Sequence, residues 1–182
     1  GEAVELHFGS MAPGGYAWMF PKEKGANIGL GIQRNFAKGR SLNQCTEQFI
    51  SKYNGEVTFN GAGSLPMSGT IKKFVKGNYM LVGDSAGMVL PSNGAGITIA
   101  MIGVRIAGQV ISEKLSSGVP LEEYELRWKK QMGKVMSNSK RSFKLGSLLF
   151  RLPDWILNLM FNRLTKGIIW RAVTCRRMFW IF

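Results

Sequence analysis

Three short segments near the start of the chain alternate apolar and polar or small residues with the period of two that a β-strand requires. They are AVELHF at 3–8, GYAWMFPK at 15–22 and ANIGLGIQ at 26–33. The turns between them, SMAPG and EKG, are short enough to join antiparallel neighbours. The pattern predicts an antiparallel sheet, because each segment then has one face to bury and a neighbour to bond.

The second and third segments predict two special surfaces on that sheet. The aromatic residues of the second segment share one face: Tyr16, Trp18 and Phe20. One face of the third segment carries almost no side chain, since it consists of Asn27, Gly29 and Gly31. Such a face leaves room for a ligand or for a neighbouring backbone. A stripe of core residues is the alternative interpretation of the aromatic face.

The rest of the chain is predicted to be mostly helical. Ser41 is a suitable N-cap for a helix over 42–53, and a turn-rich stretch of strands and connections follows. The run YMLVGD at 79–84 predicts a buried strand, and Ile97–Leu115 predicts a helix. From Leu121 onward the pattern is helical, and Pro153 is expected to begin a helix rather than to lie inside one.

Positive charge is concentrated in the last third of the chain. Residues 1–126 carry 11 Lys/Arg against 10 Asp/Glu, whereas 127–182 carry 13 Lys/Arg against Asp154 alone. The 182 residues are 45% apolar, which is enough to bury a core. A basic region interleaved with tryptophans suits anionic lipid headgroups or the phosphates of RNA, and a solvated face of ordinary helices is the alternative.

Cysteine and histidine usage excludes several classes of site. Cys45 and Cys175 are far apart, so we expect packing residues and a reducing compartment rather than a disulfide framework. His7 is the only histidine, which excludes histidine-based catalytic triads and most zinc sites. We predict no metal site. The chain starts at Gly1 in a strand-like pattern, which we interpret as a fragment of a longer protein.

A carboxylate and a glycine-rich turn stand close together before the helix at 97–115. Asp84 follows the strand-like run, where a carboxylate can accept hydrogen bonds from the paired hydroxyls of a ribose or ribityl chain. Gly94–Gly96 lets the backbone approach a flat ligand, and the helix that follows presents the positive end of its dipole. The alternatives are an ordinary turn and a membrane span over 94–111, which Arg105 opposes.

Two motifs carry a family resemblance over residues 1–115. GDSAG, then Pro91, then NGAGITIAMIGVRIAG resembles the second flavin fingerprint of the para-hydroxybenzoate hydroxylase superfamily. YAWMFPKEKGANIGLGI resembles the Tyr-x-Trp-x-Phe-Pro-Lys motif of geranylgeranyl reductases. The G-x-G-x-x-G turn that holds the FAD pyrophosphate in this superfamily is not found, because GLGIQR and GAGSLP lack the third glycine. The resemblance therefore implies the C-terminal half of such an enzyme.

The resemblance implies an FAD-dependent reductase that saturates isoprenoid double bonds, with hydride delivery to one alkene carbon and protonation of the other. It implies cofactor contacts at Gly83, Asp84, Pro91, Asn93, Gly94, Ala95 and Gly96. It implies substrate contacts at Tyr16, Trp18, Phe20, Pro21 and Lys22, with Lys22 near a phosphate head. No residue stands out as the proton donor. The electron donor is expected to be a reduced nicotinamide or a ferredoxin-like protein.

The implied fold is α+β or α/β, in three regions. An antiparallel substrate-binding sheet with a helix occupies 1–76, the closing strand and helix of a Rossmann-like FAD-binding domain occupy 77–115, and a basic helical region occupies 116–182. Two alternative functions stay open at this point. One is another flavin enzyme of the superfamily, a hydroxylase or a halogenase, and the other is a basic membrane- or RNA-binding module without enzymatic activity.

The apolar character of the basic region favours a membrane over a nucleic acid. The basic residues concerned are Lys140, Arg141, Lys144, Arg151, Arg163, Lys166, Arg171, Arg176 and Arg177. The aromatic residues among them are Trp155, Trp170, Phe179 and Trp180. We therefore expect a cytoplasmic enzyme that makes peripheral contact with an anionic membrane, acts on an isoprenoid lipid and binds no nucleic acid.

Overall fold

The computed structural model of the protein describes residues 3–163, and the side chains of 3–159. The predictions for Cys175 and for the basic and aromatic residues after Arg163 lie outside the described residues. The described chain divides into two compact units. One contains residues 3–61 and 147–163, and the other contains 62–146.

The first unit is built on the predicted antiparallel sheet. Its strands are β1 (Glu5–His7), β2 (Tyr16–Lys22) and β3 (Gly25–Gly31), in the order β1-β2-β3. Trp18 lies opposite Leu6 on β1 and opposite Gly29 on β3. All three segments with a period of two are therefore confirmed as strands, and both predicted turns connect antiparallel neighbours.

One face of the sheet packs against the helix α1 (Leu42–Ile50) and forms the core of the unit. The residues at its centre are Ala12, Ala17, Leu30, Cys45 and Phe49. The Ser41 hydroxyl accepts a hydrogen bond from the Gln44 N–H, and the Gln44 side chain accepts one from the Ser41 N–H. This capping box fixes the start of α1 as predicted. Cys45 is buried with a free thiol, in agreement with a packing role.

The face of β1 that packs towards α1 is the polar one. The Tyr53 hydroxyl donates to the Glu5 carboxylate at 2.9 Å, and the His7 ring meets the Phe49 ring edge-on at 5.1 Å. Hydrogen bonding from His7 and Tyr53 lowers the pKa of Glu5. Since these polar groups bond one another, they can occupy the inner face, and the apolar Leu6 is left 44% exposed.

The helix α4 (Asp154–Arg163) belongs to the same unit. Pro153 immediately precedes it, and its carbonyl accepts the N–H groups of Ile156 and Leu157, so the prediction that this proline begins a helix is confirmed. The Asp154 carboxylate accepts hydrogen bonds from the N–H and the hydroxyl of Ser10. A short 3₁₀ helix, Arg34–Phe36, completes this unit.

In the second unit the prediction of a buried strand over 79–84 is wrong. The strand β5 is only Tyr79–Met80, it pairs with β4 (Val75–Lys76), and Tyr79 is 81% exposed. Within the described chain this strand has a single neighbour of two residues, so its ladder cannot extend. The chain turns instead into a 3₁₀ helix, Gly83–Ala86, and Asp84 lies in that helix rather than at a strand end.

Two long helices enclose the core of the second unit. They are α2 (Ile97–Ser117) and α3 (Glu123–Leu149), and the prediction of helix is confirmed over 97–115 and, after Leu121, as far as Arg163. Gly103 lets α2 pack closely, because a Cβ there would lie 2.6 Å from the Met88 sulfur, whereas one at Gly108 would meet nothing within 4 Å. Tyr124, near the start of α3, lies in the core between these helices, and this burial raises the pKa of its phenol to about 12.

The outer side of α2 carries a row of exposed apolar residues: Ile97, Met101, Val104, Ile111 and Leu115. Within residues 3–163, no helix is both long enough and apolar enough to cross a membrane.

Candidate functional site

The aromatic residues of β2 lie on the face of the sheet opposite the core. Ala17 and Met19, on the other face, are buried, whereas Tyr16 and Trp18 are half-buried and Phe20 is exposed. The ring centroids of Tyr16 and Trp18 are 5.7 Å apart, and those of Trp18 and Phe20 are 6.1 Å apart. Within the described chain, the stripe is therefore a partly open surface that lies outside the core of the unit.

Two residues of β3 hold the Trp18 ring across the sheet. The indole N–H donates to the Asn27 side-chain oxygen at 2.7 Å. A Cβ at Gly29 would lie 2.5 Å from Trp18 Cζ2, so the ring occupies the space that a side chain at Gly29 would need. Farther along β3, a Cβ at Gly31 would meet nothing within 4 Å. The surface at Gly31 is therefore open, and it lies beside the row of aromatic rings on β2.

The structure separates the five predicted substrate residues into two groups. Tyr16, Trp18, Phe20 and Lys22 alternate along β2 and therefore share one face, which is the aromatic one. Pro21 lies on the opposite face and is partly buried. Burial raises the pKa of the Tyr16 phenol above its ordinary value. This surface is apolar along most of its length and ends at the ammonium group of Lys22.

A cleft of about 560 Å³ in the second unit brings together four of the predicted cofactor residues. They are Asp84, Gly94, Ala95 and Gly96, and the other lining residues are Leu65, Ile97, Thr98 and Ala100. The lining includes the first residues of α2, whose N-cap, Gly96, provides no side-chain hydrogen bond to the helix. Asp84 supplies the only carboxylate of the lining.

The loop from Leu90 to Gly96 is shaped by its own hydrogen bonds. Leu90 donates to the Ala95 carbonyl at 2.9 Å and accepts from the Gly94 N–H at 2.8 Å. The Asn93 side chain accepts from the Ala95 N–H at 3.0 Å. Gly94 has φ +74°, a conformation that disfavours any other residue. Asn93 therefore stabilises the turn and is not among the residues that line the cleft.

Two further predicted cofactor residues also stand back from the cleft lining. Pro91, within this loop, is fully buried. Gly83 begins the 3₁₀ helix with φ +63°, next to the Ala100 methyl group. Their contacts with a cofactor stay a prediction.

The residues of this cleft fit a flavin. A Cβ at Gly96 would lie 3.3 Å from Val89 Cγ2 and 3.6 Å from the Asp84 carboxylate, so the missing side chain leaves a cradle next to an acid. A surface without side chains can lie against a flat ring, and an exposed carboxylate can accept hydrogen bonds from a sugar. The N-terminus of α2 adds a positive partial charge.

Sequence reasoning missed Leu65. A Cβ at Gly94 would lie 3.2 Å from its Cδ1, which places this side chain at the wall of the cleft. The only signal at this position is an apolar residue followed by proline in a Gly/Ser-rich stretch, and that pattern does not predict a site.

Among residues 3–163, no group of three or more His, Cys, Asp or Glu could hold a metal ion. The basic residues that the structure describes on α3 and after it are mostly exposed: Lys129, Lys130, Lys134, Arg141, Lys144 and Arg151. Arg127 differs from them, because it forms ion pairs with Glu113 at 2.6 Å and with Glu123 at 3.2 Å.

Comparison with known proteins identifies the family. Residues 1–63 match the geranylgeranyl reductase catalytic domain. The chain is 38% identical over 170 residues to digeranylgeranylglycerophospholipid reductase 2 of Methanothermobacter thermautotrophicus, a match that covers 90% of this chain and 43% of that protein. It is 34% identical over 176 residues to digeranylgeranylglycerophospholipid reductase of Methanococcus vannielii, covering 91% and 44%.

The chain belongs to the geranylgeranyl reductase family. The resemblance to geranylgeranyl reductases is thereby confirmed. The geranylgeranyl reductase family is generally flavin-dependent, in agreement with the chemistry of the cleft. The chain spans less than half the length of these two relatives.

A solved structure has the same fold as this chain. It is the crystal structure of a geranylgeranyl bacteriochlorophyll reductase-like protein from Thermoplasma acidophilum, with a TM-score of 0.77 and 24% identity. The match covers 94% of this chain and 46% of that one. The predicted fold class, which mixes α and β structure around an antiparallel sheet, is confirmed.

Proposed function

We propose that the protein is an FAD-dependent reductase that saturates the double bonds of isoprenoid chains on lipids. The observation that carries this proposal is the aromatic face of β2, which is turned away from the core and ends in a cation. An apolar chain with an anionic head suits such a surface. The names of the relatives, digeranylgeranylglycerophospholipid reductases, point to the same substrate class.

The aromatic face would bind the isoprenoid chain by apolar contact. Three rings stand in a row there, those of Tyr16, Trp18 and Phe20, and the surface beside them is open at Gly31. Each buried methylene contributes about 0.8 kcal/mol, so a long chain gains affinity without any polar contact. Lys22, the last residue of β2, would bind the phosphate head, and Pro21 would help to shape the site next to it. The catalytic proton donor is not assigned to any residue.

The cleft in the second unit would bind FAD. Asp84 would accept hydrogen bonds from the ribose hydroxyls, and Gly94, Ala95 and Gly96 would lie against the isoalloxazine. Gly83, Pro91 and Asn93 would complete the contacts. The N-terminus of α2 would stabilise negative charge on the ring. When bound and reduced by the electron donor, the flavin would supply a hydride to one alkene carbon, and a proton would add to the other.

We assign the substrate role to 1–76, the cofactor role to 77–115 and a membrane-docking role to 116–182. Exposed cations on α3 support the last assignment, because they suit an anionic bilayer in which a lipid substrate resides. The electron donor is a reduced nicotinamide or a ferredoxin-like protein, and the enzyme acts in the cytoplasm.

The test is a product analysis with the full-length protein. Protein, FAD, a chemical reductant and a digeranylgeranylglycerol phospholipid are incubated without oxygen, and the lipid is analysed by mass spectrometry. We expect the lipid to gain a pair of hydrogens for each saturated bond, and only when the reductant is present. A parallel incubation with oxygen, halide and aromatic substrates tests the hydroxylase and halogenase alternatives. An oxygenated or halogenated product without saturation of the lipid would overturn the proposal.

A further inference from the structure

The loop that carries the predicted cofactor contacts is held in place by a side chain from α3. The hydroxyl of Ser139 accepts a hydrogen bond from the Ser92 N–H at 3.0 Å and lies 3.0 Å from the Ser92 hydroxyl. Ser139 is completely buried, on the same side of α3 as Met132 and Met136. A buried hydroxyl is costly unless it is hydrogen-bonded, so this pairing with Ser92 satisfies it.

The hydrogen bonds within the loop determine its shape, whereas the hydrogen bonds to Ser139 help to determine its position. Those between Leu90 and residues 94–95 close the loop on itself and fix its shape. They do not fix where the loop lies on the rest of the unit. The buried Leu90 and Pro91 hold the start of the loop, and Ser139 holds Ser92, because Ser139 belongs to a long helix whose inner side is packed in the core. Ser92 stands two residues before Gly94, so its anchoring sets the position of the backbone that lines the cleft.

We propose that Ser139 is a positioning residue for FAD, acting through the loop Leu90–Gly96. This inference rests on the proposed function, since it takes the cleft to be the flavin site. Among the described residues, the Ser139 side chain forms hydrogen bonds with Ser92 alone. Ser92 is not among the residues that line the cleft, so Ser139 acts on the cleft only indirectly. If the anchor is lost, Gly96 can move relative to Asp84, and the cradle between them changes width.

The experiment compares Ser139→Ala with Ser142→Ala. Ser142 is a matched control, because it lies on the same helix, is also buried, and has no described hydrogen bond to the loop. The first readout is hydrogen–deuterium exchange of the amides of Ser92–Gly96 in the protein without FAD. The second is the FAD dissociation constant of the full-length protein, measured by flavin fluorescence together with the position of the visible flavin bands.

We expect Ser139→Ala to speed exchange of the loop amides about tenfold and to weaken FAD binding about fivefold to thirtyfold, because a buried N–H loses its acceptor. The flavin bands should shift, and Ser142→Ala should change neither readout. Should the alanine variant fold poorly, Ser139→Cys keeps a side chain of the same shape, slightly larger, that is only a weak acceptor, so a smaller change in the same direction is expected.

Three results would overturn the inference. Unchanged exchange in Ser139→Ala would show that Ser139 does not hold the loop. Faster exchange with unchanged FAD affinity would show that the position of the loop does not matter to the cofactor. If the unaltered full-length protein bound no FAD, the proposed function would fail and the cofactor role of Ser139 with it, while the exchange measurement would still decide whether Ser139 anchors the loop.

Discussion

The aromatic face of β2 and the cleft before α2 are built in opposite ways. The first consists of large side chains standing in a row, and its shape depends on the rings of Tyr16, Trp18 and Phe20. The second consists mainly of backbone, since Gly94, Ala95 and Gly96 present little more than main-chain atoms. A flexible apolar chain is suited to side-chain contact, and a flat ring is suited to a bare backbone.

Because of this difference, we expect variants of the aromatic face and variants of the cleft to have different defects. Changes on the aromatic face should affect the turnover of lipid and leave the flavin in place. Changes at the cleft should affect retention of the flavin first. The variants below test that separation, in decreasing order of expected effect.

Asp84→Ala should give the largest change, a loss of FAD affinity of about 1.5–3 kcal/mol, because the ribose hydroxyls lose a charged acceptor. Equilibrium titration of the full-length protein measures it. Glu122→Ala removes another exposed carboxylate, one outside the cleft, and should leave affinity unchanged. An Asp84 variant that bound FAD as well as the unaltered protein would remove Asp84 from the site.

Trp18→Ala should lower kcat/KM for a long isoprenoid lipid about tenfold to a hundredfold, because the chain loses contact with a large ring. FAD affinity should not change. Tyr79→Ala is the control, since Tyr79 is an aromatic residue that lies on β5 and belongs to neither proposed site. Equal losses of turnover and flavin in the Trp18 variant would contradict the separation of the two surfaces.

Gly29→Ala should lower the same kcat/KM by up to about tenfold, because the new Cβ would lie 2.5 Å from Trp18 Cζ2 and the ring must move. Near-UV circular dichroism should report the movement of the indole. Gly31→Ala adds the same methyl group where nothing lies within 4 Å, so its Trp18 signal should match that of the unaltered protein. Identical spectra for the two variants would mean that Gly29 does not position the ring.

Arg151→Gln should weaken binding to anionic vesicles about fivefold, since each basic residue near such a surface contributes on the order of 1 kcal/mol. Cosedimentation at low salt measures it, and binding should weaken further as salt rises. Lys114→Gln removes an exposed cation from α2 and should have no effect. FAD affinity should be insensitive to both changes. Equal binding to neutral and anionic vesicles would rule out the electrostatic contribution.

Local patterns were sufficient to predict most of the elements. Alternation with a period of two located β1, β2 and β3, and the Ser41 capping box located α1. The prediction for YMLVGD failed because an apolar run forms a longer strand only where neighbouring strands can pair with it. The inward orientation of Glu5 on β1 was equally unpredictable, since it depends on Tyr53, far along the chain.

The candidate sites show the same limit. Asp84 and Gly94–Gly96 were identified because they are close in sequence, and the fold brings them to one cleft. Leu65 and Ser139 were missed because each meets its partner across a long stretch of chain and stands in no recognisable pattern. Such contacts depend on how α3 and the connecting segments pack, which no short window of sequence contains.

The two glycines on α2 indicate where the protein can be engineered for thermal stability. Glycine in a helix interior costs about 0.8–1.0 kcal/mol relative to alanine. Gly108→Ala should therefore raise the melting temperature, because a methyl group there meets nothing within 4 Å. Gly103→Ala would place a methyl group 2.6 Å from the Met88 sulfur, so this variant should have a lower melting temperature than the unaltered protein.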